Sequence, residues 1–199
     1  QRARSNNSVL LLRDETTFEE FTSILNKTRQ FGEPGFVFGN HPWQLYNPCF
    51  EIGFIPVTKD GVCGVQFCNL TSINGARIDT KAKFLDAVKA ATIVGTLQAA
   101  YSDFDYLRPA SKQLTEGEAL LGVSITGIMD NPRILLNPEY QKEGAESSVR
   151  VNKSWAKKLN VNQAARITCI KPEGTSSLVL GSASGIHPHH SERYFRRIQ

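Results

Sequence analysis

The chain has 199 residues, of which 40% are hydrophobic and 21% charged, enough for one good-sized core and one domain or two. It contains neither an apolar run of the roughly 18 residues that span a bilayer nor a secretory signal. Its four cysteines do not suggest a disulfide framework, so we expect a cytoplasmic protein. The net charge of +4 suits anionic small molecules as well as a weak nucleic-acid preference, and does not decide between them.

The first forty residues predict a strand, a helix and a turn. Ser8–Leu12 is a short apolar run typical of a buried strand. Thr17 and Glu20 have the spacing of a capping box, which begins a helix that ends at Gly32. The stretch 31–39 contains three glycines and a proline and is expected to form turns.

The middle of the chain predicts an extended segment, a hairpin, a strand and a long helix. The extended segment covers 47–55, and the hairpin or loop tip covers 58–64, where an Asp-Gly pair supplies the turn signal. A strand over 65–73 follows. The helix begins at residue 79 or 80, and its apolar face consists of Phe84, Leu85, Val88, Ala91, Thr92 and Leu97.

The last third predicts two helices, a strand and a further helix. A helix rich in small residues is expected over 116–129, and a short amphipathic helix over 152–160. A β-branched strand over 166–171 ends at a proline, after which a glycine turn opens the last helix. The alternation of strands and helices predicts an α/β fold.

The chain shows no internal repeat and no clear linker, so we expect one domain over 1–199. Its first residue is Gln1, and its only methionine is Met129. We therefore expect a partial domain, a piece of a longer polypeptide.

Asn47, Cys49 and Glu51 alternate, and on an extended segment they share one face. Pro48 removes a backbone donor and holds Asn47 extended. A carboxylate beside a thiol raises the pKa of the thiol, which argues against a thiolate nucleophile. A protonated thiol beside a base and an amide suits chemistry in which S–H loses or regains a hydrogen atom. The alternative from spacing alone is a structural role.

The other cysteines give weaker signals. Cys63 and Cys68 form a C-x4-C pair, a poor spacing for zinc. A metal site would also need ligands from His187, His189 and His190, and we expect none. Cys169, on an apolar strand, is interpreted as a small buried hydrophobe.

The stretch 172–177 places a glycine turn and hydroxyl residues at a predicted helix N-terminus. Exposed backbone N–H groups and the positive end of the helix dipole make such a place an anion site. The stretch lacks the P-loop pattern. The alternative is a simple capped helix start.

Taken together, these motifs resemble the catalytic subunit of ribonucleotide reductases. The resemblance rests on N-P-C-x-E at 47–51, F-C-N-L-T-S-I-N at 67–74 and P-E-G-T-S-S at 172–177. S-G-I-H-P followed by R-Y-F-R-R at 184–197, and R-S-N-N-S-V at 4–9, fit the same family. The motifs follow the family's order and cover almost the whole chain.

The resemblance implies part of a ten-stranded α/β barrel with a central finger loop that carries the radical cysteine. Cys49 is then the residue that becomes a thiyl radical and abstracts the 3′ hydrogen of the ribose. Glu51 is implied to act as general base on the 3′ hydroxyl. Asn47 is implied to hydrogen-bond the ribose hydroxyls.

The resemblance also implies that Cys68 is one of two thiols that reduce the 2′ position and end as a disulfide. In the family the second thiol lies on an upstream strand, and we expect that this chain lacks that strand, the upstream effector region and the C-terminal cysteines. Cys63 is not expected to replace the missing thiol. The residues implied to bind the substrate phosphates are Pro172, Glu173, Gly174, Thr175, Ser176 and Ser177.

The N-P-C sequence and the stretch 171–197 are most similar to the adenosylcobalamin-dependent branch, which implies that cofactor as radical source. The alternative within the family is a radical supplied by a metal-containing partner subunit. The implied partners are a ribonucleoside di- or triphosphate, the remaining segments of the reductase and an external thiol reductant such as thioredoxin. Neither a membrane nor direct nucleic-acid binding is expected.

The predicted function is the reduction of ribonucleotides to 2′-deoxyribonucleotides for DNA synthesis, by a chain that is inactive alone. The alternative is a non-catalytic fragment that binds nucleotide phosphate or serves assembly. A glycyl-radical relative is a third reading, which the carboxylate of Glu51 disfavours.

Overall fold

The computed structural model describes residues 7–195 and 197. The beginning of the R-S-N-N-S-V stretch and Arg196 therefore lie outside the described residues. The chain divides into two compact units. The first holds the described residues up to Leu45 and Gly53–Ile55, and the second holds Tyr46–Ile52 and the described residues from Pro56 onward. No helix in the described part is long and apolar enough to cross a bilayer.

The first unit is built around a strand–helix–strand arrangement: β1 (Ser8–Leu12), α1 (Phe18–Phe31) and β2 (Gly35–Gly39). β1 and β2 are parallel. The predicted capping box is confirmed, since Thr17 and Glu20 hydrogen-bond each other's backbone N–H groups. α1 ends, as predicted, at Gly32, whose φ of 78° is left-handed.

The prediction of turns over 31–39 was wrong for its second half. The residues between the two glycines of β2 are aromatic or β-branched and form a strand beside β1. The Phe21 ring of α1 packs 5.2 Å from the ring of Phe36, centroid to centroid. Contact with a helix that precedes the strand in the chain outweighs the turn preference of the flanking glycines.

The remaining elements follow in chain order: β3 (Leu45–Tyr46), β4 (Gly53–Phe54), β5 (Asn69–Asn74), α2 (Lys81–Ala99), α3 (Pro109–Glu118), β6 (Leu121–Thr126), α4 (Pro132–Leu135), α5 (Pro138–Leu159) and α6 (Ser176–Leu180). Short 3-10 turns occupy Gly75–Arg77 and Ile128–Asp130. The predicted hairpin over 58–64 is confirmed by the antiparallel bridge between Val57 and Cys63. The predicted long helix is confirmed as α2, with Thr80 as its N-cap.

A parallel sheet organises the second unit. β5 and β6 pair from Asn69–Leu121 to Asn74–Thr126, and Thr168 bridges to Val123 on the other side of β6. α2 packs on both strands and on α5. The core between these elements includes Ile73, Phe84, Val88, Leu121, Val123, Leu135 and Ile167. Parallel strands joined through helices agree with the predicted α/β class.

The helix predicted over 116–129 was wrong, because α3 ends at Glu118 and β6 follows. Ala119 adopts a left-handed φ of 44° and ends the helix. All but one residue of β6 are buried, so the strand lacks the alternation that marks a half-exposed strand. Its small residues and the lack of alternation therefore gave a sequence pattern that was interpreted as a helix.

Three predicted boundaries were also wrong. The strand predicted over 65–73 begins at Asn69, and the helix predicted over 152–160 is the end of the much longer α5. Gly144 and Ser148 are buried in the first half of α5, and these small residues hid its apolar face. The stretch 166–171 pairs with β6 through backbone hydrogen bonds but forms only an isolated bridge.

Candidate active site

The N-P-C-x-E motif forms a tight turn, and the prediction that it is extended was wrong. The Phe50 N–H donates to the Asn47 carbonyl oxygen at 2.9 Å, and the Ile52 N–H donates to Asn47 Oδ1 at 3.0 Å. Phe50 has a left-handed φ of 62°, which reverses the chain. The side-chain oxygen of Asn47 therefore closes the turn, and its amide nitrogen carries the donors that this bond does not use.

The turn gives Cys49 and Glu51 different environments, although their alternation in the sequence predicted that they share one face. Cys49 is exposed, and the Phe50 side chain beside it is 43% exposed. Both carboxylate oxygens of Glu51 are buried and have no hydrogen-bond partner among the described residues. A buried carboxylate without a donor is costly, so this position is explained more readily by a ligand than by stability.

Cys68 and Cys169 meet over Gly122. Cys68 immediately precedes β5, Gly122 lies in the adjacent β6, and Cys169 follows the Val123–Thr168 bridge on the far side of β6. A Cβ atom built on Gly122 would lie 2.9 Å from Cys68 Sγ and 3.3 Å from Cys169 Sγ. The two sulfur atoms, together with Leu70 Cδ2 of β5, thus share the space that a side chain at Gly122 would occupy.

Both thiols are held in the protonated form. Burial raises the pKa of Cys68 to about 12, and the neighbouring Cys169 and the Glu51 carboxylate add to this rise. Burial raises the pKa of Cys169 to about 11, with Glu51 and Glu173 adding to it and Lys171 opposing it. The carboxylate of Glu51 therefore acts on these two thiols, although the sequence predicted that it would act on Cys49.

The loop 172–177 is held by a buried carboxylate. Glu173 is 2% exposed and accepts hydrogen bonds from the hydroxyls of Ser72 on β5 and Ser176 in the loop itself. The Ser177 N–H donates to the Glu173 carbonyl oxygen at 3.2 Å, which begins the short helix α6. The Glu173 side chain thus anchors the loop, which leaves the hydroxyl of Ser177 and the exposed Thr175 for a ligand.

The predicted S-G-I-H-P stretch crosses the end of β6. Thr126 Oγ1 donates to the Ala183 carbonyl oxygen and accepts from the Gly185 N–H, each at 3.0 Å. Ser184 Oγ donates to the Pro172 carbonyl oxygen at 2.8 Å and so joins this stretch to the 172–177 loop. Gly185 has a φ of 54° and would place a Cβ only 2.8 Å from the Pro172 oxygen, so a glycine is required.

A polar cavity of about 430 Å³ opens beside α6. The hydroxyls of Ser177 and Ser182 are buried there without a partner among the described residues. Arg197 also lines it, as does His189, whose Nε2 lies 3.2 Å from Asp130 Oδ1. Hydroxyl and cationic groups around one cavity are the chemistry that binds anions.

No family model matches the chain. Over 98% of its length it is 22% identical to the adenosylcobalamin-dependent ribonucleoside-triphosphate reductase of Lactobacillus leichmannii and 24% identical to that of Lactobacillus acidophilus. The chain is similar to part of a class II ribonucleotide reductase. It spans only 31% and 30% of the length of these two reductases.

The fold agrees with this similarity. A crystal structure of a B12-dependent class II ribonucleotide reductase superposes on 94% of the chain with a TM-score of 0.64, at 21% sequence identity. The chain covers 30% of that reductase structure. The shared fold is α/β, as the sequence predicted.

The sequence-based predictions missed two members of the candidate site. Cys169 was interpreted as a buried hydrophobe, and Gly122 was placed in a helix. Both are recognised only from the parallel sheet. Cys169, three positions before Pro172, lies there beside β6, the strand that carries Gly122. Asn47, Cys49 and Cys68 lie in the same unit, but their predicted roles stay predictions.

Proposed function

We propose that this chain is part of the catalytic barrel of a ribonucleotide reductase that reduces ribonucleotides to 2′-deoxyribonucleotides by thiyl-radical chemistry. One observation carries the proposal: the Glu51 carboxylate is buried with no donor in the described part of the chain, two residues from an exposed thiol and beside two protonated thiols. A ribose hydroxyl would supply the missing donor. Relatives and a structural neighbour that are ribonucleotide reductases support it.

In this mechanism the Cys49 sulfur, as a thiyl radical, takes the 3′ hydrogen atom of the ribose and later returns it. The Glu51 carboxylate takes the proton of the 3′ hydroxyl, and the Asn47 amide nitrogen donates to a ribose hydroxyl. Cys68 is one of the two thiols that supply the electrons for loss of the 2′ hydroxyl as water. Its protonated state suits delivery of hydrogen with the electrons.

The substrate phosphates are proposed to bind at the loop 172–177 and the polar cavity beside it. The Ser177 and Ser182 hydroxyls, which have no partner in the described residues, and the Arg197 guanidinium provide donors for phosphate oxygens. Glu173 would contribute indirectly, because its carboxylate holds the loop in place. The curated relatives are triphosphate reductases, so we propose a ribonucleoside triphosphate as substrate.

Adenosylcobalamin is the proposed cofactor, since the relatives depend on it. When bound, it would supply the one-electron chemistry that turns a thiol into a thiyl radical. The exposed Cys49 thiol fits this requirement, because the radical source must reach its sulfur, and the exposed Phe50 ring beside it offers an apolar surface to a large cofactor. We further propose cytoplasmic action with the remaining segments of the reductase and an external thiol reductant such as thioredoxin.

The test is substitution of Cys49 in the complete enzyme of which this chain forms part. We expect Cys49→Ser to reduce deoxyribonucleotide formation to background, because serine cannot form a thiyl radical, while far-UV circular dichroism stays unchanged. Cys63→Ser is the matched control, since Cys63 is also exposed but lies in the hairpin. Substantial turnover by Cys49→Ser would exclude the proposed radical role.

A further inference from the structure

We propose that Cys68 and Cys169 form a reversible disulfide within this chain, so that Cys169 is a second redox thiol of the site. Each sulfur lies within 3.3 Å of one point, the position of a Cβ on Gly122. The two sulfur atoms can therefore be no farther apart than the sum of their distances from that point, 2.9 Å and 3.3 Å. The proposal needs no substrate and no cofactor.

The surroundings allow the two sulfur atoms to close this gap. Gly122 has no side chain, so nothing from β6 has to leave this space. The tip of the Leu70 side chain from β5 also reaches the same point, and as the end of a flexible side chain it can turn aside. Cys68 lies just before the first residue of β5, and Cys169 lies in a stretch that one bridge joins to β6. Backbone outside regular strands adjusts more easily than strand interiors, and a disulfide requires such adjustment to reach its geometry.

The charges nearby slow oxidation of the pair near neutral pH. Glu51 faces both sulfurs and Glu173 faces Cys169, whereas Lys171 is the opposing cation. Only a thiolate attacks a disulfide, so suppression of the thiolates slows exchange. The site is thus a dithiol that oxidises slowly.

The oxidant is a low-molecular-weight disulfide. The thiolate of one cysteine attacks it, forms a mixed disulfide and releases one small thiolate, which takes up a proton. The thiolate of the second cysteine then attacks the protein sulfur of the mixed disulfide and releases the second small thiol. The two cysteines lose two electrons and two protons, and the small disulfide becomes two thiols.

Where the proposed function also holds, this disulfide removes Cys68 from the reducing dithiol. Oxidation would then stop turnover until an external dithiol regenerates Cys68. The disulfide itself does not depend on that function, since it is detected without turnover.

The experiment oxidises the 199-residue chain with oxidised glutathione at pH 8.5, blocks free thiols and identifies linked peptides by mass spectrometry. We expect the Cys68–Cys169 peptide pair to dominate in the folded chain and to vanish after dithiothreitol. In urea, where the fold is lost, Cys68 should instead link to all three other cysteines. Cys63→Ser should leave the native link unchanged, whereas Cys169→Ser should leave glutathione on Cys68.

Three results would overturn the proposal. In the first, Cys68 remains unlinked to Cys169 in the folded chain. In the second, Cys68 links predominantly to Cys49 or Cys63. In the third, the distribution of links is the same with and without urea. Circular dichroism of each variant shows that the chain under test is folded. Because no step measures deoxyribonucleotides, failure here leaves the proposed function standing, and loss of turnover in Cys49→Ser leaves this disulfide standing.

Discussion

Glu51 and Glu173 are both carboxylates with buried oxygens, but they differ in their partners. Glu173 accepts hydrogen bonds from Ser72 and Ser176. Glu51 has no donor among the described residues. Buried polar groups are hydrogen-bonded in most proteins, so the exception at Glu51 fits a residue kept for its ligand rather than for stability.

This contrast predicts opposite effects of the same substitution. Glu51→Gln replaces a buried carboxylate that has no donor among the described residues by a neutral amide and should stabilise the fold by about 1 kcal/mol. Glu173→Gln weakens two charge-assisted hydrogen bonds and should destabilise it by about 1–3 kcal/mol. Urea unfolding monitored by circular dichroism measures both. A marked loss of stability in Glu51→Gln would mean that its carboxylate is satisfied in the folded chain.

Glu51→Gln should also affect chemistry. In the complete enzyme, loss of the proposed general base should reduce turnover about 10²–10⁴-fold. The same substitution removes a negative charge beside Cys68 and Cys169, so the pKa of both thiols should fall. Alkylation rates measured against pH report this shift, and Glu20→Gln in the capping box of α1 serves as control. An unchanged pH profile would contradict the contact between Glu51 and the thiols.

At the scale of elements, close packing around the ends of β5 and β6 demands residues without side chains. Gly75 follows β5, and a Cβ there would lie 2.6 Å from both Leu135 Cδ1 and the Thr126 carbonyl oxygen. Gly117 in α3 has nothing within 4 Å of the same position. One glycine is therefore required by packing, and the other is not.

We expect Gly75→Ala to destabilise the chain by about 1–3 kcal/mol, because backbone and side chain must both move. Gly117→Ala should stabilise it by about 0.5–1 kcal/mol, because alanine favours a helix interior. Thermal unfolding of the two variants beside the parent chain measures this. Equal effects of the two substitutions would show that Gly75 is not in close contact.

The elements that could be predicted were those with local signals. The capping box of α1 and the Asp-Gly turn in 58–64 depend on neighbours in sequence, and both were found. β6 could not be recognised, because its neighbours β5 and the stretch 166–171 are distant in the chain. A strand buried on both faces carries no period of its own.

At the scale of the whole chain, only part of the composition of the candidate site was predicted, and its geometry was not. The motifs identified Cys49, Glu51 and Cys68, yet the left-handed Phe50 divides the first two between an exposed and a buried environment. Cys169 was recognised as a member of the site only from the sheet, which places it beside Gly122. The spacing of residues along the sequence does not reveal a turn that a single backbone angle creates.

The two buried thiols make the stability of the whole chain depend on alkaline pH. Their pKa values are about 12 for Cys68 and about 11 for Cys169 in the fold, against 9.0 for an ordinary thiol. Above pH 9 the unfolded chain therefore loses protons that the folded chain keeps. Stability contributed by the protonated thiols is complete below pH 9 and is lost as the pH rises toward 11 and 12.

We expect the free energy of unfolding to fall between pH 8.5 and 10.5 more steeply in the parent chain than in the double variant Cys68→Ser, Cys169→Ser. Because both thiols are only partly buried, the difference in slope should stay below about 1.4 kcal/mol per pH unit for each thiol. Urea unfolding at several pH values under reducing conditions measures it. Lysines and tyrosines titrate alike in both chains, so parallel curves would show that the two thiols ionise normally in the fold.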